Sequence, residues 1–136
     1  MPRTPAALAY AATFELKQPD PDKTFLVDAQ EILSSSFPPD RVERAARYAL
    51  LAGIEGARQR NAEQFELWNK AVETDPQNRN LRLGYAQALA TAGELAQAKR
   101  VLIESQAALG DADERFANLQ RSVQARIDRS RQIVPD

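Results

Sequence analysis

Stretches that cannot continue a helix recur along this chain at near-regular intervals. They are Pro19-Asp20-Pro21-Asp22, Ser34-Ser35-Ser36 followed by Pro38-Pro39, Asp75-Pro76-Gln77-Asn78, Gly93 and Gly110. Proline lacks a backbone donor and pushes the residue before it out of the α region. Glycine supplies the left-handed residue that ends many helices. Between these breaks, apolar residues return every three or four positions, the period of a helix with one buried face. The spacing therefore predicts about seven helices joined by short turns, and short turns make neighbours antiparallel. Alternating β-branched segments are nearly absent, Val101-Leu102-Ile103 being one of the few short runs, so no sheet is expected.

The helices are expected near residues 6–17, 24–35, 40–60, 62–74, 79–91 and 94–109, with a last one from 111 that frays near Pro135. Thr4 before Pro5, Asp40 and Asp111 are suited to cap helix starts. The predicted inner faces are Leu8, Ala11, Ala12 and Leu16, then Phe25, Leu26, Ala29, Ile32 and Leu33. In helix three the inner face is read as Val42, Ala45, Ala46, Ala49, Leu50 and Ile54. Phe65, Trp68, Ala71 and Val72 follow, then Leu81, Tyr85, Ala88 and Leu89. Helix six faces in through Leu95, Ala98, Val101, Leu102 and Ser105, and helix seven through Phe116, Leu119, Val123 and Ile127.

Composition removes whole classes of chemistry. The chain has no Cys and no His, which takes away disulfides, thiolate chemistry, the usual general base and the commonest metal ligand. No phosphate loop, nucleophile-elbow Ser or metal-ligand spacing is present, so no cofactor, no metal and no enzymatic activity are expected. A net charge of -1 gives no global field to attract nucleic acid or an anionic membrane. No run approaches a membrane span, and a soluble protein is expected. The segment from Met1 to Leu16 resembles a signal peptide only in part, because Glu15 and Lys17 interrupt it, and it is expected to stay in the chain. The absence of Cys suits the cytoplasm and is compatible with the periplasm.

Pro76 and Gly110 lie 34 residues apart, each just after a helix. Within that interval Tyr85-Ala86, Gly93, Ala98 and Leu102 resemble the positions that define a tetratricopeptide repeat. The unit before it resembles the same repeat through Phe65, Trp68, Lys70-Ala71-Val72 and Asp75-Pro76, with two departures. Its spacing from Pro38 to Pro76 is 38 residues, one extra helical turn, and Gln64 stands where a small Ala is usual. The resemblance implies an all-α fold in which antiparallel hairpins stack as a short right-handed tetratricopeptide-like solenoid. One helical-repeat domain over 1–136 is expected, divided into a degenerate first hairpin (1–38), repeats at 39–77 and 78–110, and a C-terminal capping helix (111–136).

The same resemblance implies a concave groove lined by the first helix of each hairpin. Helix three carries small residues at Ala45, Ala49, Ala52, Gly53 and Gly56, and of these Ala49 and Gly53 are candidate partner-contact positions, although close packing within the hairpin stack is the favoured explanation of the run. Helix five would contribute Asn80, Leu83 and Gln87, and helix seven Asn118 and Arg121. Amide side chains can pair with a partner's backbone while tolerating many sequences. Leu83 stands where some members carry a basic residue, so a full carboxylate clamp is absent. The end of helix seven is basic, through Arg115, Arg121, Arg126, Arg129 and Arg131, but no aromatics interleave there after Phe116, and no nucleic-acid partner is expected. The leading expectation is a scaffold, adaptor or co-chaperone-like module that binds a protein, as a peptide or partner helix. A structural subunit that self-associates as a homo-oligomer or completes a larger assembly is the second reading, and a regulatory domain of an enzyme system the third.

Overall fold

The computed structural model describes residues 4–110 and 113–133. Among them are seven helices and no strand: α1 (Pro5–Leu16), α2 (Lys23–Leu33), α3 (Arg41–Ala57), α4 (Asn61–Thr74), α5 (Arg79–Thr91), α6 (Leu95–Leu109) and α7 (Glu114–Ile133). The chain divides into two compact units, Met1–Asp75 and Pro76–Asp136.

Local chemistry sets most of the helix starts. Thr4 Oγ1 accepts from the Ala7 N–H at 3.1 Å, Asp22 Oδ1 from Phe25 at 3.1 Å, Asp40 Oδ2 from Glu43 at 2.9 Å and Asn78 Oδ1 from Leu81 at 3.2 Å. Each bond satisfies a donor that the first helical turn leaves free. The expected cap Asp111 lies outside the described residues.

The ends differ in kind. After α5, Gly93 takes φ +84, its N–H donates to Ala90 O, and the Glu94 N–H reaches back to Leu89 O, the two bonds of a Schellman ending. Gly110 is left-handed in the same way at φ +71. Helix α3 ends early. Gln59, not a glycine, adopts φ +59 while Gln59 N donates to Gly56 O and Arg60 N to Glu55 O. That turn is why α3 stops at Ala57 and does not run to residue 60.

In the first unit, α3 pairs with α4, and α1 packs on both α2 and α3. Its core joins Leu8 and Ala12 of α1, Leu26, Ala29 and Leu33 of α2, and Leu51 and Ile54 of α3. The second unit has α5 against α6, with α7 packed on both. Leu81, Tyr85, Leu89, Ala98, Leu102, Phe116 and Val123 are buried there, as the stripes predicted.

Three stripe residues lie on the wrong side. Ile32 is 42% exposed, Val42 is 51% exposed, and Ala46 is also exposed. In α3 the buried residues are Ala45, Arg47, Leu51, Ala52, Ile54 and Glu55; of the expected face, Ala45 and Ile54 are buried, Ala49 and Leu50 are half-buried, and Val42 and Ala46 face out. The helix has adjacent apolar columns, and packing against its neighbours chose between them.

Candidate functional site

The small residues of α3 are used inside the first unit. A Cβ on Gly53, which is half-buried, would meet Leu16 Cδ1 of α1 at 3.0 Å, so glycine there makes room for the packing of α1. A Cβ on Gly56 would come within 2.5 Å of Gln64 Nε2. Gly56 therefore makes the room that Gln64 needs where a small residue is expected. Ala45 and Ala52 are fully buried, and Ala49 is half-buried.

Part of α3 borders a cleft of about 380 Å³. Ala6, Tyr10 and Thr13 of α1 line one side, and Ala46, Arg47 and Leu50 of α3 the other. Arg47 is only 8% exposed. Its Nη1 donates to Leu33 O at 3.3 Å and to Ser36 O at 2.6 Å, closing the end of α2. Among the described residues no carboxylate lies within ion-pair distance of it, and burial lowers its pKa below the ordinary value for Arg. Arg47 was missed in the sequence. The available signal was a basic residue opening the stripe that continues through Leu51 and Ile54, at helical spacing.

A different polar cluster ends α3. Glu55, 1% exposed, lies 3.3 Å from Arg58 Nη1 and 3.2 Å from Arg60 Nε. Arg58 also donates to Gln30 Oε1 at 2.7 Å. These bonds tie the α3–α4 turn to α2, a structural role.

In the second unit the predicted residues separate into two kinds. Leu83 is 8% exposed and belongs to the interior, so it corrects the expectation of a groove contact. Asn80, Gln87, Asn118 and Arg121 are exposed. Asn80 Oδ1 accepts from Arg115 Nη1 at 2.9 Å, and Arg121 donates to Asn118 Oδ1 one turn away. Arg126 donates to the Ala90 carbonyl at 2.8 Å, tying α7 to α5. Arg115 is held by Asp113, and that hydrogen-bonded pairing, with the Arg115 backbone N–H, lowers the Asp113 pKa. Of the basic series in α7, Arg115 and Arg126 are thus engaged within the unit, while Arg121, Arg129 and Arg131 lie exposed.

Trp68 is half-buried, with its indole N–H enclosed and unpartnered. No cluster of three acidic side chains able to hold a metal ion occurs among the described residues. No helix among them is long and apolar enough to cross a membrane.

The tetratricopeptide repeat family model matches residues 57–123. No curated protein matches the chain. Among solved structures, the type III secretion chaperone SycD of Yersinia enterocolitica, in complex with a peptide of the translocator YopD, aligns with a TM-score of 0.63. The identity is 15%, and the alignment covers 89% of this chain and 92% of that one.

Proposed function

This chain is a tetratricopeptide-like helical-repeat protein, and from that premise we propose that it works as a protein-interaction module. It binds a peptide or helix of a partner protein, and its role is that of a scaffold, adaptor or chaperone-like subunit rather than a catalyst. The observation that carries this reading is the face of α5 and α7 in the second unit. Asn80, Gln87, Asn118 and Arg121 are exposed there, on helices whose other sides supply the core through Leu81, Leu89, Phe116 and Val123. Support also comes from the likeness in fold to a chaperone solved with a peptide bound.

Exposed amides can pair with a partner's main chain, and an exposed guanidinium favours an acidic partner. The partner recovered by the full chain should therefore bind more weakly to Arg121→Glu than to Gln87→Ala. Replacing attraction with repulsion should cost about tenfold or more, against a few-fold for the amide. Neither change should alter the melting temperature, since both side chains are exposed. Unchanged affinity in both variants would remove the α5–α7 face as the contact surface.

A structural subunit is the second reading. Tyr10 is 78% exposed and Phe14 61%, on the same side of α1, where an assembly could cover them. A stable oligomer by light scattering, without any captured ligand, would favour it.

A further inference from the structure

The cleft between α1 and α3 has an apolar wall and a cation with donors to spare. A guanidinium carries five N–H groups. Arg47 uses Nη1 on the carbonyls of Leu33 and Ser36, which suffices to close α2. Its Nε and Nη2 have no partner among the described residues. Neither atom is fully enclosed without a partner, so both keep an opening to solvent. Burying a cation without a counter-charge is costly, and the Nε–Nη2 edge has the fork geometry that receives a carboxylate in two hydrogen bonds. Glu43, one turn earlier and lining the same cleft, makes no ion pair with it. Ala6, Tyr10, Ala46 and Leu50 line the cleft together with Arg47, and the volume of about 380 Å³ accommodates one or two side chains.

We propose that this cleft anchors a partner segment in which an aliphatic or aromatic side chain lies within one helical turn of an aspartate or glutamate. The apolar side chain fills the space between α1 and α3, and the carboxylate accepts from Nε and Nη2 of Arg47. The proposal rests on the reading of the chain as an interaction module and gives the first unit a recognition chemistry of its own.

The test selects from a displayed library of random 12-residue peptides, each fused at its C-terminus so that no free terminal carboxylate competes. The full chain is the bait, and enriched peptides are resynthesised with both ends blocked and titrated by fluorescence polarisation. Enriched sequences should pair an apolar residue with an acid, and changing that acid to its amide should weaken binding at least tenfold. Ala46→Glu should abolish binding, because it presents a carboxylate to Arg47 and repels the peptide's own. Ala46 is exposed and the Arg47 bonds to α2 are left in place, so this variant keeps its fold even where Arg47→Gln does not. Glu43→Gln should strengthen binding a few-fold by removing a competing charge.

Enrichment without acids, indifference to the acid-to-amide change, or full binding by Ala46→Glu would each overturn the proposal. Peptides that respond to Arg121→Glu but not to Ala46→Glu would overturn it while upholding the interaction reading. Peptides that respond to Ala46→Glu alone would do the reverse for the α5–α7 face.

Discussion

Gln59 is the residue whose conformation costs most for what it is. A side chain at φ +59 brings its Cβ against the following carbonyl, a penalty of roughly 1–2 kcal/mol in a left-handed residue. It is held there by the paired backbone bonds to Glu55 and Gly56 and by the arginines on either side, which meet the buried Glu55 carboxylate. Gln59→Gly should raise the stability of the first unit by about 0.5–1 kcal/mol, the relief being partly offset by a more flexible unfolded chain. A higher urea midpoint checks it, and a lower one would mean that the Gln59 side chain makes a contact worth more than the strain. Nothing in the sequence marked this position. The caps at Thr4 and Asp40, by contrast, were legible because the bond spans three residues and needs no distant partner. Gly56 and Gln64 fall between these cases. Each was visible as a departure, but only their contact explains both.

At the scale of the helix, lengths were legible and faces less so. The extra residues between Pro38 and Pro76 appear as an α3 of 17 residues against 13 in α5. Its face was only partly read: Ala45 and Ile54 are buried as expected, but Val42 and Ala46 face out while Leu51 and Ala52 face in, because these columns are equally apolar and periodicity alone does not rank them. At the start of α7, Asp113 accepts from the Arg115 N–H at 2.9 Å and pairs with its guanidinium at 3.0 Å. The Arg115 hydrogen bond is the main reason that the Asp113 pKa is lowered. A lowered carboxylate pKa contributes stability above the ordinary value, near about pH 4, and loses it as pH falls through the folded value. Asp113→Asn should therefore destabilise the second unit slightly at pH 6 and make no difference in strong acid. Melting curves of both proteins across that range would test it; a gap that widens on acidification would refute the pairing as the cause.

The whole molecule lacks the side chains that usually titrate near neutrality, having no His and no Cys. Its melting temperature should thus be flat from about pH 6 to 8. A clear slope measured by calorimetry in that window would require a carboxylate or lysine displaced far from its ordinary range, or a terminal amine whose pKa changes on folding. The same absence leaves recognition to shape, amides and fixed charges, which is where both binding proposals lie. Each of the two compact units has its own buried cluster, and each presents a different chemistry outward: apolar with one enclosed cation in the first, amide-rich and cationic in the second.

The sequence by itself determined the number of helices, most of their boundaries, the absence of strands and the tetratricopeptide-like hairpins. These follow from backbone rules that act over a few residues: a proline without a donor, a glycine free to turn left, an aspartate that caps. Tertiary structure alone decided that Gly53 is filled by Leu16, that Leu83 is interior, and that Arg47 lies in the buried face of α3 beside an open cleft. Those outcomes depend on which column of a helix meets which neighbour. That choice is made by the summed packing of residues far apart in the chain, where several columns are equally apolar and only the assembled unit distinguishes them.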